Sequence, residues 1–148
     1  MGRQKMENEV IIQLHTVIDD HGNKETSSSK QVGNYYRKNN IDVLAFEEKT
    51  EDDFSIKSMI TIQPGKVNIK RSGSVSMNQQ FRSEKVTENV YTHPHGHLHM
   101  ETYTKSIRYQ ALEDGQEGQL EIDYTVKLNG QDERNHSLVL NYKKEDAE

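Results

Sequence analysis

Leu120, Ile122, Tyr124, Val126 and Leu128 are each separated by one residue. That period of two puts every member on the same side of an extended chain and is the signature of a half-buried β-strand. Similar runs recur at Val10–Ile18, Val32–Arg37, Ile41–Phe46, Phe54–Ile62, Val67–Arg71, Val75–Phe81, Lys85–Tyr91, His97–Leu112 and His136–Tyr142. Nowhere does an apolar period of 3.6 persist long enough to suggest a helix. Turn chemistry separates the runs: Asp19–Asn23, Lys38-Asn39-Asn40, Pro64 and Gly65 at the centre of a type II turn, His93–Gly96, and Asn129-Gly130. Thr26–Lys30, rich in serine, reads as a loop or a frayed strand start. Ser72-Gly73-Ser74 reads as a turn or as a bulge in one long strand. Connections this short make chain neighbours pair antiparallel. An open sheet of eight to ten strands would leave two bare edges, whereas an up-and-down barrel removes them. The expectation is therefore an all-β, single-domain antiparallel β-barrel spanning 1–148, with its core at about 8–143 and polar tails at both ends. A two-sheet sandwich is the alternative.

Hydrophobic residues make up 31% of the 148 and charged residues 29%. That is lean for a globular chain, but the apolar residues are segregated into the alternating runs, which argues against disorder. A net charge of −5 without a basic stripe argues against a nucleic-acid partner. Cysteine is absent, which excludes disulfides and thiolate chemistry and fits a reducing compartment. The opening MGRQKMENEV lacks the apolar region of a secretory signal. No run approaches the ~18 apolar residues of a membrane helix. These features together lead to the expectation of a cytoplasmic protein with no membrane partner.

The blocks VIDDHGN, RSGSVSMNQQF and TYTKSI, in that order, resemble the YwiB-like family of bacterial proteins, a domain of unknown function. The resemblance runs from about Val10 to Tyr142. It implies a calycin-like (lipocalin-type) barrel and implies no catalytic residues. His93, His95, His97 and His99 depart from the family pattern.

Two groups of residues are candidates for a site. Arg71 and Gln79 share parity with Val67, Ile69, Val75, Met77 and Phe81, which places a guanidinium among apolar side chains. Thr102, Thr104, Ser106 and Arg108 continue the parity of Leu98 and Met100. If both sets face inward, they line one end of a lumen wide enough for a small ligand. Arg71 would then offer a planar fork to a carboxylate or phosphate. The competing reading is a plugged barrel, with Arg71 paired to an acid, because a buried charge needs a partner. The second group is His93, His95, His97 and His99, imidazoles that could bind zinc, nickel or copper. Pro94 and Gly96 interrupt that strand, so an exposed His-rich tip is the favoured reading. The acids Glu47, Glu48, Glu51, Asp52, Asp53, Glu113, Asp114 and Glu117 read as solvated loop charges. No nucleophile elbow or phosphate loop is present, and no cofactor is implied. Three functions follow in order: a barrel binding a small, anionic ligand; a filled barrel acting as an interaction or homodimerisation module through outward Tyr103, Ile107 and Tyr109; and an enzyme.

Overall fold

The computed structural model describes residues 7–49, 54–112 and 117–144. The polar tails, Glu51–Asp53 and the turn residues Glu113 and Asp114 lie outside the described residues. Ten strands follow one another: β1 (Glu7–Asp20), β2 (Asn23–Lys38), β3 (Ile41–Lys49), β4 (Ser55–Gln63), β5 (Lys66–Gly73), β6 (Met77–Arg82), β7 (Val86–His93), β8 (Gly96–Gln110), β9 (Gly118–Leu128) and β10 (Arg134–Lys144). The sheet order is β6-β5-β4-β3-β2-β1-β10-β9-β8-β7. Every chain neighbour in the sheet is an antiparallel hairpin, except that the last strand returns to pair with the first. The β1–β10 ladder runs from Val10↔Lys144 to Asp19↔Asn135.

The turns obey local rules. His21 (φ 52°) with Gly22 (φ 96°), and Asn39 (φ 53°) with Asn40 (φ 66°), form two-residue loops with both central residues left-handed, the geometry that matches strand twist. Ser72–Gly73 ends β5 and turns into β6, and Arg71 pairs with Met77, so the inward parity of Arg71 passes intact to Met77, Gln79 and Phe81. The serine-rich stretch is strand. It is held along β1 by backbone pairing and by Thr16 Oγ1–Ser27 Oγ (2.6 Å) and His15 Nδ1–Ser28 Oγ (2.8 Å).

Curling brings β6 alongside β7 and nearly closes the barrel. The seam has no continuous ladder. Isolated bridges hold its ends: Ser76 and Thr92 exchange backbone bonds of 2.9 and 2.8 Å, and Ser83 bridges Thr104. Between them Thr87 Oγ1 donates to the Gln80 carbonyl at 2.5 Å, so a side chain stands in for a ladder bond.

Val10, Ile12, Leu44, Ile60, Val67, Phe81, Leu120, Ile122, Leu140 and Tyr142, each at most 2% exposed, fill the middle. Phe81 meets Tyr124 edge-on at 4.8 Å. Burial of side chains this size is worth roughly 1.5–3 kcal/mol each relative to exposure. No helix among the described residues is long and apolar enough to cross a membrane.

A bulge in β8 decides what the barrel contains. Thr104 pairs with Tyr124, but Ser106 pairs with Asp123. The extra residue, Lys105, exchanges inside for outside. Thr102 and Thr104 point inward and are fully buried, while Ser106 and Arg108 lie on the outer face. Ile107 and Tyr109, expected outside, pack against the core. Tyr103, before the bulge, stays exposed.

Tyr142 fits only because β9 starts with glycine. A Cβ on Gly118 would overlap the Tyr142 ring and hydroxyl, well inside van der Waals contact. Gly118→Ala is expected to lower unfolding free energy by about 2–3 kcal/mol through overpacking, measured by urea denaturation.

Candidate functional site

The two ends of the barrel carry different chemistry. One end collects the β3–β4, β5–β6 and β7–β8 connections. There Arg71 lies on the inward parity and meets an acid: its Nη2 is 3.5 Å from Glu48 Oε1, with side-chain exposures of 31% and 29%. Gln31 Nε2 donates to the other Glu48 oxygen at 2.8 Å. Arg71 is therefore answered from within the chain, and an incoming anion would compete with Glu48.

Gln79 and Thr102 form the second part of the predicted site. Gln79 Nε2 donates to Thr102 Oγ1 at 2.9 Å, and both residues are buried. This bond crosses the β6–β7 seam from β6 to β8. Thr104 Oγ1, also buried, has no partner. Ser106 and Arg108 do not join them, because the Lys105 bulge turns both outward. Ser106 Oγ lies 3.5 Å from Asp123 Oδ2, and Arg108 donates through Nε (3.1 Å) and Nη2 to Glu121 Oε1.

The histidines are split between faces by the Pro94–His95 turn. His93 shares the inward parity of Tyr91, and its ring lies 5.5 Å from the Tyr91 ring. His95 sits in the turn, with its backbone N–H on His93 Nδ1 at 3.2 Å. His97 and His99 lie on the outer parity and bond Thr92 (3.1 Å) and Glu88 (3.2 Å). Among the described residues no three His, Cys, Asp or Glu side chains are grouped to hold a metal ion.

The opposite end holds a group that sequence pattern did not single out. Asp42, 3% exposed, points inward from β3. Arg37, one hairpin turn away, donates to it twice, Nε to Oδ1 at 2.6 Å and Nη2 to Oδ2 at 3.2 Å. The Tyr109 hydroxyl donates to Oδ2 at 2.6 Å. Tyr109 also meets the Tyr142 hydroxyl, which accepts from Leu112 N–H at 3.2 Å. Tyr109 gives its only proton to Asp42, so Tyr142 must be the donor to Tyr109. The bonds thus run one way, from Leu112 through Tyr142 and Tyr109 to the carboxylate. Tyr35 completes the cluster, its ring 5.1 Å from that of Tyr142.

Burial alone would raise the Asp42 pKa, but the hydrogen bonds from Arg37 and Tyr109 outweigh it, and the carboxyl stays below its ordinary value. Burial first, and then the bond to Asp42, push Tyr109 above the ordinary phenol value. Asp42 is therefore a fixed anion held by neutral phenols and one guanidinium.

A cavity of about 430 Å³ opens beside this cluster. Arg37, Asp42, Asn40, Gln63 and Tyr109 give it polar walls, and Ile62, Pro64, Ile107 and Ala111 supply apolar ones. The signal for it in the sequence was a lone acid, Asp42, on the same parity as Leu44 and Phe46.

Ten antiparallel strands curled into a nearly closed barrel make this a β-barrel protein. The chain belongs to the family described as Domain of unknown function (DUF1934), whose pattern matches residues 12–140. It is 32% identical over 138 residues to the uncharacterized beta-barrel protein YwiB of Bacillus subtilis (strain 168), covering 93% of this chain and 95% of the relative. The crystal structure of the ywiB protein from Bacillus subtilis superposes with a TM-score of 0.84 at 29% identity, covering 96% of this chain and 95% of the other.

The seam polar pair and its unpartnered neighbour give opposite expectations. Thr102→Val strands the Gln79 amide in the core and should cost about 1–3 kcal/mol. Thr104→Val removes a hydroxyl that bonds nothing and should be neutral or stabilising by up to about 1 kcal/mol. Chemical denaturation of both variants against the parent checks the contrast.

His136, stacked 5.0 Å from Tyr124, has its pKa lowered to about 4 by burial and by the charge of Arg134. Above its ordinary pKa of about 6.5 the ring is neutral in both states. Between about 6.5 and 4 the unfolded chain takes up a proton that the fold refuses, so stability falls as pH falls. The ring is partly exposed, so the loss is discounted to about 1–2 kcal/mol. His136→Gln should flatten this part of the stability–pH curve relative to the parent, measured by denaturant midpoints from pH 7 to 4.

Proposed function

We propose that the chain is a small-molecule binding protein whose ligand seats in the mouth beside Asp42 rather than deep in the lumen. The middle of the barrel is occupied by its own side chains, which favours a mouth as the place for a ligand. The observation that carries this reading is the cavity of about 430 Å³ with a prearranged polar floor. That size lies within the range of about 300–1,000 Å³ typical of ligand pockets.

The floor also selects a chemistry. Asp42 already accepts bonds from Arg37 and Tyr109, so it has little left to offer a cation. Arg37 spends Nε and one Nη2 hydrogen on Asp42, and its side chain is 51% exposed, leaving its outer edge to donate. Asn40 and Gln63 add amides at the rim. The ligand that fits has an acceptor head, a carboxylate or a carbonyl, and a compact apolar body lying on Ile62, Pro64 and Ile107. The small anionic ligand expected at Arg71 is thereby moved to the opposite end, where the guanidinium is aimed outward. Cytoplasmic residence belongs to the same reading and is supported by the cysteine-free composition.

A panel of small aliphatic and aromatic carboxylic acids, screened by thermal shift, tests it. At least one is expected to raise the melting temperature of the parent, and Arg37→Ala should reduce its affinity at least about tenfold, the loss of a charge-assisted bond of roughly 1.5–3 kcal/mol. No stabilising acid, or equal binding by Arg37→Ala, defeats the proposal.

A further inference from the structure

The β2–β3 ladder stops at Asn34↔Ala45, although β2 continues for eleven more residues along β1, to Asn23. Among the described residues no strand is paired along the other side of that extension, although β3 stays close to its near end, where the Gln31 amide reaches Glu48. Its side chains are exposed at Asn23–Ser28, Lys30 and Val32.

Turn geometry fixes which backbone groups are free. The loop His21-Gly22 closes the β1–β2 hairpin on Asp20↔Asn23, and the pair closing a two-residue loop exchanges both hydrogen bonds. Such pairs alternate, so odd-numbered residues of β2 bond β1. The even-numbered ones, Lys24, Thr26, Ser28, Lys30 and Val32, aim N–H and C=O outward. The next turn agrees independently: Asn39-Asn40 closes Lys38↔Ile41, and Lys38, Tyr36 and Asn34 are the residues that bond β3. Natural sheets blunt such an edge with lysine, proline, a bulge or a covering loop, and here the lysines are Lys24 and Lys30. This one has no proline and no register shift in the β1–β2 ladder.

We propose that a second copy of this chain covers the edge, β2 against β2 in antiparallel fashion, with the two-fold axis at Ser28. A symmetric pair requires outward residues to face outward residues, so even positions meet even positions. With the axis at Ser28, Lys24 faces Val32, Thr26 faces Lys30, and Ser28 faces itself. All five free residues of each edge are then paired, and no like charges stand directly opposite. Moving the axis one residue toward the turn sets Lys24 against Lys30; moving it one residue away leaves Lys24 outside the set of free pairs. The Ser27–Ser29 stretch is small enough for close approach, and its bonds to β1 hold the strand in place before docking.

The interface predicts its own cross-link. The chain contains no cysteine, and residues paired across the axis lie about 5.5 Å apart at Cα, within disulfide reach. Ser28→Cys is expected to give a covalent dimer under mild oxidation. Thr26→Cys is expected not to, because its new thiol would face Lys30 of the other copy. Ser28→Pro removes an N–H that serves only the partner, at an edge position where proline is tolerated. In light scattering the parent should run at twice the chain mass and Ser28→Pro at the chain mass, with unchanged circular dichroism. A monomeric parent, as expected if the edge instead takes a peptide from another protein, overturns the proposal. Equal cross-linking of the Thr26→Cys and Ser28→Cys variants, or a Ser28→Pro variant that stays dimeric, overturns it as well.

Discussion

The ladder between β1 and β10 is the constraint on which the rest of the structure hangs. Every other strand pairing joins chain neighbours through a hairpin, and those form from local information. This one joins the two most distant strands, and it bears the loop-closure entropy of the whole chain. What stabilises it is the company it brings together. Val10 and Ile12 on one strand and Leu140 and Tyr142 on the other are almost completely buried, in one buried cluster with residues from six further strands. Without it the inward rows of β2–β6 and β7–β9 would belong to two unconnected meanders, each with an apolar face in water.

Strand positions and most turns were legible in the sequence because a period of two and left-handed turn residues are local facts. The Lys105 bulge was legible in principle. The apolar parity is even at Leu98 and Met100 and odd at Ile107 and Tyr109, and one inserted residue is the simplest reconciliation. Extending the even parity through to Arg108 placed two polar residues inside and two apolar ones outside, all four reversed by the fold. The serine run could not be settled by pattern, because Asn23–Ser28 has neither face covered and so shows no alternation. Its strand character comes from β1.

The candidate site was less legible, for reasons of register. That Arg71 needs a partner follows from the cost of an unpaired charge, but that Glu48 supplies it depends on three strands aligning. Asp42 stood out only as an acid on an apolar parity. Two of its partners come from β2 and β8, and one of these, Tyr109, faces it only because of the bulge. Polar satisfaction is uneven as a result: the Asp42 cluster is wired through side chains from β2 and β8, whereas the Thr104 hydroxyl at the seam bonds nothing. The uneven wiring follows the topology, with a hairpin neighbour and a phenol turned inward by the bulge serving Asp42, and the seam leaving its own residues to side-chain bonds.

The seam has a consequence for the connectivity itself. Adjacent strands in this barrel are consecutive in the chain all the way round, counting β10 and β1 as consecutive, so the strand order is cyclic. The strands β1 and β10 meet in one of the best-formed ladders, while the poorest contact, β6 against β7, is bridged by a covalent turn at Ser83–Lys85. A rearranged gene that joined the present ends and began at β7 would trade these two, making every extended ladder a hairpin and leaving only the weak seam to be closed by distant parts of the chain.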